Sequence, residues 1–409
     1  MSFSNSSASF SSLLLTDLDI PVAMGLKHII ALGLLLIPAA LAQDRHLHHG
    51  LTWTKNAVRM NHIQVVGSHN SYHIEAPLEE IEAQKKLLPD YINYRYSHPQ
   101  LDIQLEDQKM RNIEIDVLAD PNGGNYAKPK IRKVAGLPYP SDPAWKENAT
   151  KVLHIPDADI HSVCITLVEC LTIIKRWMDE HPRSVPIPIM MEFKTADRNL
   201  GAEVIEWDDE ELLAGLDDEI RSVFPPEQLI TPDDVRRGGL TLEESILKYG
   251  WPDLDSARGR LFVLMDNGPD NKIRDAYNMD RPNLEGRVLF TNSKPGESDC
   301  AFQKLNEPDT EEAIANIQKQ VRANYWVRTR ADVPMRTILD ENCSTKQRDA
   351  AFRSGAHIVS TDFQAYGMSS RWGCDYACRL EGNKAARCNP VNGPTRCEDK
   401  WGLEPKEYL

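Results

Sequence analysis

The sequence predicts an α/β protein of the (β/α)8 TIM-barrel type with a Cys-rich C-terminal extension. Three observations lead there. After residue 43, short β-branched runs alternate with helical patterns, as repeated βα units around a parallel sheet do. Eight such runs occur, at residues 63–66, 113–118, 152–155, 187–193, 261–265, 288–291, 326–329 and 358–361, and eight parallel strands close a barrel. Several runs end in a histidine, a carboxylate or a basic residue, and barrels of this kind build their active sites at the C-terminal rim.

In chain order, residues 1–42 read as targeting sequence. Met24-Gly25-Leu26-Lys27-His28 is a short basic lead, residues 29–41 are nearly all apolar, and Ala40-Leu41-Ala42 is an A-x-A cleavage site. Residues 1–23 fit no signal peptide, so Met1 and Met24 both stand as starts. The apolar run is too short to span a bilayer comfortably. The expected mature chain starts near Gln43, carries no transmembrane span and is secreted; residues 43–371 form the barrel and 372–409 a disulfide-stapled tail.

With a net charge of −14 over 409 residues, nothing but a local basic patch would offset phosphate repulsion, which argues against a nucleic-acid partner. Eight cysteines in an oxidising compartment predict disulfides. Zinc is a poor fit, because Cys374-x-x-x-Cys378 lacks a matched second pair. Asn148-Ala149-Thr150 and Asn342-Cys343-Ser344 are glycosylation sequons, the second compromised by Cys343.

Helical patterns fall at residues 101–110, 163–178, 311–323 and 345–352; the second puts Val163, Leu167, Leu171, Ile174 and Met178 on one face. The acidic stretch 197–252 reads as an elaborated βα connection with its own helices, and its run Asp208-Asp209-Glu210-Glu211 as a solvated helix face.

The first strand leads into Gly67-Ser68-His69-Asn70-Ser71-Tyr72-His73, a turn that presents a histidine beside an amide. In the second, side chains alternate, so Ile113, Ile115 and Val117 share one face and Glu114 and Asp116 the other. Placed inward, two like charges either share a proton or bind a cation; a half-exposed strand is the plainer alternative. Glu192 and Lys194 share one face at the end of the fourth strand, and a Glu–Lys pair at a strand mouth explains them equally. His154 ends the third strand, Asp266 the fifth and Asp362 the eighth, while Arg328 and Arg330 alternate around Thr329. Each could serve only as a salt-bridge partner; their coincidence at one rim is what points to a site.

These residues, in this order, resemble the calcium-dependent phosphatidylinositol-specific phospholipases C of the PLC-like phosphodiesterase superfamily. The resemblance rests on Gly67 to Tyr72, Glu114-Ile115-Asp116, Val152-Leu153-His154-Ile155-Pro156-Asp157 with Cys164, residues 186–194, Val327 to Asp332, Ser354-Gly355-Ala356, Ser360-Thr361-Asp362 and Arg387-Cys388-Asn389-Pro390, across residues 61–397. It implies that Asn70, Glu114, Asp116 and Glu192 hold Ca2+ through oxygen donors alone, which suits a hard cation. It implies catalytic roles for His69 and His154, with the inositol 2-hydroxyl attacking phosphorus to give a cyclic phosphate and diacylglycerol. His69 would stabilise the phosphorane or activate the hydroxyl, and His154 would protonate the departing glycerol oxygen; from the residues themselves either histidine fits either transfer. Lys194, Arg328, Arg330 and Asp266 are the substrate-binding candidates, and the implied partner is a phosphoinositide or related phosphodiester lipid at a membrane surface. His73 and His161 lie close enough in sequence to replace either histidine. Two other readings stand beside this one, a glycerophosphodiester phosphodiesterase and a catalytically silent headgroup-binding barrel.

Overall fold

The computed structural model describes residues 49–195, 200, 204–400 and 403–404. The expected signal peptide, both candidate start positions and the boundary at residue 43 lie outside the described residues, as does part of the acidic stretch. By its contacts the chain divides into Met1–Ala42 and Gln43–Leu409, and all described residues belong to the second unit.

Its strands are β1 (Ile63–Ser68), β2 (Ile113–Leu118), β3 (Lys151–Val152), β4 (Ile187–Phe193), β5 (Leu261–Met265), β6 (Leu289–Phe290), β7 (Phe302–Lys304), β8 (Trp326–Arg330), β9 (Ile358–Thr361) and β10 (Ala386–Cys388). They form two five-stranded sheets, β10-β1-β9-β8-β7 and β3-β2-β4-β5-β6. All pairs are parallel except β1–β10 and β2–β3. Without β3 and β10, the parallel strands follow chain order as two half-barrels. No continuous ladder joins the halves among the described residues. Individual backbone bonds cross one seam, from Arg111 N–H to Val66 O and from Ser71 N–H to Glu114 O, each 2.9 Å. At the other seam Asn292 bridges Phe302.

Two strand assignments change. The run 152–155 is not a stave: only Lys151–Val152 is strand, and it returns antiparallel along β2. The chain then folds back, Ile155 N–H reaching Asp159 O at 3.0 Å with Asp157 at φ 73°, so extension stops before His154. The missing stave is β7, whose three residues are too few to show a period.

β1 and β2 approach so closely that a Cβ on Gly67 would overlap the Asn112 side chain. Glycine is required there for space. Ile113, Ile115 and Val117 pack outward into the main core with Leu171, Ile174 and Met178, as alternation predicts. The helix carrying those last residues spans Leu167–Glu180. It starts after Val163, because Thr166 caps it by accepting from Glu169 N–H. The other expected helices are Leu101–Glu106, Glu311–Arg322 and Lys346–Ser354. The acidic connection carries helices Glu210–Val223, Pro232–Val235 and Leu242–Tyr249. Asp209 caps the first of these and Glu210 and Glu211 lie in its first turn, where negative charge complements the helix dipole.

Disulfides join Cys164 to Cys170, Cys343 to Cys374 and Cys388 to Cys397. The expected disulfides are therefore present, while Cys300 and Cys378 are buried and free. Burial raises both thiol pKa values, leaving them packing groups. The tail is held by its own bridge, by Cys343–Cys374 and by β10 on β1. No helix among the described residues is long and apolar enough to cross a membrane.

Candidate active site

The turn after β1 is locked from below. Ser68 and Ser71 share a 2.6 Å hydroxyl contact, Ser68 Oγ donates to Gln104 Oε1 at 2.6 Å, and Gln104 Nε2 donates to Ser71 O at 2.7 Å. Ser71 Oγ accepts from Glu114 N–H at 2.8 Å, tying the turn to β2. Asn70 takes a left-handed conformation, φ 45°, which asparagine tolerates better than most residues. His98 Nε2 donates to His69 O at 2.8 Å, and its Nδ1 lies 2.7 Å from Gln364 Nε2, an amide donor. Burial lowers the His98 pKa to about 4, so it serves as a neutral strut.

His69 stands between carboxylates. Its Nδ1 is 2.7 Å from Asp362 Oδ1 and its Nε2 is 3.4 Å from Glu114 Oε1. Each carboxylate has an arginine on its other oxygen: Arg330 Nη2 lies 2.6 Å from Asp362 Oδ2, and Arg328 Nη2 2.6 Å from Glu114 Oε2. Burial pushes the Asp362 carboxyl up, but His69 and Arg330 outweigh it and hold the pKa well below the carboxylate range. Arg328 also reaches Asn306 and Ser360, so both arginines face the site through its acids.

Beside Glu114, Asp116 is fully buried and faces Lys194 Nζ at 3.1 Å; the same ammonium is 3.4 Å from Glu192 Oε1. Burial drives the Asp116 pKa well above its usual range; Lys194 opposes this, and Glu192 and Glu114 add to it. Asp266 pairs with Lys304 of β7.

Among the described residues, no three His, Cys, Asp or Glu side chains gather as a formed metal site. The donor chemistry of the four expected ligands nevertheless suits a hard cation. Asn70 Oδ1 and Asp116 Oδ1 are buried with no hydrogen-bond partner, while Lys194 meets Asp116 Oδ2, and such unmet groups are costly unless something positive reaches them.

His154 lies past β3, in the reversal that ends at Asp159. Its Nδ1 is 2.9 Å from Asp159 Oδ2, and the Tyr94 ring packs against it with centroids 5.1 Å apart. Burial lowers the His154 pKa to about 4, against the opposing pull of Asp159. The ring is therefore neutral near pH 7, with hydrogen on Nδ1 and a free electron pair on Nε2. Asp159 Oδ2 is also 2.9 Å from His73 Nε2. His161 lies elsewhere, with Nε2 2.7 Å from Glu80.

A family model described as phosphoinositide phospholipase C, Ca2+-dependent, matches residues 58–390. The chain belongs to that family. Its members are phosphoric diester hydrolases, and the chain is one by membership. Among solved structures, the calcium-dependent phosphoinositol-specific phospholipase C of a Pseudomonas sp. is 15% identical, with 83% of this chain and 98% of that one covered and a TM-score of 0.49. The calcium-dependent enzyme of Streptomyces antibioticus is also 15% identical, covering 78% and 98%, with a TM-score of 0.46. No curated protein sequence matches.

In this phospholipase C family member, sequence reasoning missed Asp159 as a partner of two histidines and Lys304 as the partner of Asp266. Asp159 follows His154 by five residues, a spacing that becomes contact only because the chain reverses at Asp157. Lys304 lies on the short β7. Asp362 was legible as a strand end but not as the partner of His69.

Proposed function

We propose that the protein is an exported, calcium-dependent phosphodiesterase that cleaves phosphatidylinositol-type lipids to diacylglycerol and an inositol cyclic phosphate. The observation that carries this reading is the pairing of each expected catalytic histidine, through Nδ1, with a buried aspartate: His69 with Asp362 and His154 with Asp159. Such pairing orients the opposite ring nitrogen for proton transfer.

His154, neutral with Nε2 unprotonated, takes the proton of the inositol 2-hydroxyl as its oxygen attacks phosphorus. His69, with an acceptor at each ring nitrogen, donates toward the phosphoryl oxygens and supplies the proton for the departing glycerol oxygen. This reverses the division that the family resemblance implies, and the free electron pair on His154 is the reason. Asn70, Glu114, Asp116 and Glu192 would hold the calcium ion, which when bound lowers the hydroxyl pKa and offsets phosphate charge. Lys194 adds positive charge beside them. Arg328 and Arg330 fix Glu114 and Asp362 against His69.

A lipid substrate is favoured over a soluble diester by apolar side chains on loops that follow β1, β8 and β9. Leu78 is 80% exposed and Tyr366 74%, with Met335 and Leu339 also in the open. Three disulfides support export, since they persist in oxidising compartments. The exposed Asn148 suits glycosylation there.

The test is hydrolysis of phosphatidylinositol vesicles with calcium or with chelator, beside the His69→Ala protein. Activity that survives chelation sinks the calcium assignment, and activity that survives in the variant sinks the role of His69. Cleavage of glycerophosphoinositol alone would make the protein a soluble-diester phosphodiesterase.

A further inference from the structure

We propose that His73 is a positioning residue for His154, acting through the Asp159 carboxylate that the two rings share. The role rests on the reading of His154 as a proton-transfer group.

His73 is fully buried, its ring packed against that of Tyr96 with centroids 4.5 Å apart. Its Nδ1 lies 3.1 Å from Tyr96 O, a carbonyl that can only accept, so Nδ1 carries a hydrogen. Its Nε2 lies 2.9 Å from Asp159 Oδ2, the same oxygen that His154 Nδ1 approaches at 2.9 Å. Gln84 Nε2 donates to Asp159 Oδ1 at 3.2 Å. The two rings meet edge to face, 6.0 Å apart at 89°. Thus Asp159 is held on both oxygens, and His154 has one orientation in which its Nδ1 hydrogen is used.

Asp159 alone could not fix His154 relative to His69, because Asp159 and His154 ride on the same reversal. His73 belongs to the turn that carries His69 and Asn70. Its backbone bridges Ser162, Ile74 N–H donates to His161 O at 3.1 Å, and Val163 N–H donates to Tyr72 O at 2.8 Å. The His73 side chain completes that seam at the catalytic end, so the proposed proton-transfer groups are set in register with each other. The shared carboxylate acts on the rings unequally. Burial lowers the His73 pKa but Asp159 outweighs it and leaves the pKa raised, whereas at His154 burial prevails. One ring is a fixed double donor and the other stays neutral for chemistry.

The experiment compares the full chain with His73→Leu, which removes the donor, and His73→Gln, whose amide nitrogen can reach the Nε2 position. Two readouts are taken. Nitrogen-15 NMR of the ligand-free protein reports the His154 tautomer, and steady-state cleavage of short-chain phosphatidylinositol with calcium reports kcat and KM. In His73→Leu, we expect kcat to fall about tenfold or more with KM little changed, because misplacement costs the reacting geometry rather than binding. His154 should pass from a single Nδ1–H tautomer to a mixture. His73→Gln should recover most of kcat and the single tautomer. A folded His73→Leu protein with unchanged His154 tautomer overturns the role. If that variant does not fold, the wild-type spectrum decides: His73 Nε2–H and His154 Nδ1–H must both appear as slowly exchanging downfield protons, and absence of either overturns the role. The NMR arm needs no substrate, so it separates this inference from the functional reading, which fails instead if the wild type cleaves no phosphodiester.

Discussion

His69 Nδ1 lies 2.7 Å from Asp362 Oδ1 while Arg330 holds the other oxygen of that carboxylate at 2.6 Å. The aspartate cannot turn away, and so the imidazole cannot either. In Asp362→Asn the amide can present its NH2 to the ring, inverting the tautomer that faces Glu114. We expect kcat to fall by about 10²-fold or more with a small change in KM, the size typical of a lost acid–base group. Steady-state kinetics on the folded variant checks this, and an unchanged kcat would remove His69 from proton transfer.

Acid should destabilise the fold well above the carboxylate range. His62, His98 and His154 have pKa values lowered to about 4 and His357 to about 3, all by burial first. A lowered imidazole pKa means that the unfolded chain takes up the proton first as pH falls. Stability from these groups is therefore fully present above about pH 6.5 and is lost as pH falls toward their folded values, by roughly 1.4 kcal/mol per pKa unit for each. His73 and the buried Asp116, Asp217 and Asp332, whose pKa values are raised, act in the opposite sense and offset part of this loss. Urea unfolding at pH 7.5 and pH 5 should show a clear loss. His357 Nδ1 accepts from Val327 N–H at 3.0 Å, and His357→Gln, which keeps an acceptor but does not titrate, should flatten the profile.

Gly67→Ala should be costly although it adds one methyl group. The new Cβ would overlap the Asn112 side chain across the seam between the half-barrels. Overpacking of this kind costs about 1–3 kcal/mol. Asn112 donates to Pro188 O at 2.9 Å and so has a bond that resists its moving aside. In an Asn112→Gly background the same change should cost less, and the coupling is read from a double-mutant cycle by chemical denaturation.

Strand identity was legible where a run was long and β-branched, as in β2 and β4, and so was the inward side of Glu114 and Asp116, because alternation fixes it. What period cannot reach is a three-residue strand such as β7 or a reversal such as the one at Asp157, where a single left-handed residue turns an apparent strand into a hairpin. The same limit governs the site. His69 and Asn70 follow β1, Glu114 and Asp116 alternate along β2 and Glu192 lies near the end of β4, so their positions marked them as candidates. Asp159 could not be marked this way, because its contact with His73 spans 86 residues and depends on a loop. Cys300 and Cys378 mark another limit, since parity counts cysteines but burial separates them.

Calcium should stabilise the protein as well as activate it. If Asn70 Oδ1 and Asp116 Oδ1 receive the ion, binding to the folded state alone raises stability by RT ln(1 + [Ca2+]/Kd), about 2.7 kcal/mol at a hundredfold excess over Kd. The melting temperature should rise with calcium and not with an equal ionic strength of sodium. Asp116→Asn should abolish the rise. A calcium-dependent rise that persists in Asp116→Asn would move the ion elsewhere.

The exposed apolar side chains on the loops after β1, β8 and β9 offer a way to tell a lipid enzyme from a soluble diesterase. Leu78, 80% exposed, follows β1, and Tyr366, 74% exposed, follows β9; their two loops are joined by the ion pair of Glu75 and Arg371 at 2.6 Å. A side chain that enters the lipid interface contributes about 1.5–3 kcal/mol on full burial, so losing one should weaken vesicle binding by roughly tenfold. Leu78→Ser and Tyr366→Ser should therefore lower activity on phosphatidylinositol vesicles while leaving turnover of a monomeric, short-chain substrate near the wild-type value. Neither residue touches the paired histidines and acids, so a parallel loss on both substrates would mean damage to the catalytic turn. Equal, undiminished activity on both would mean that the rim does not meet the membrane and that recognition lies with the headgroup alone.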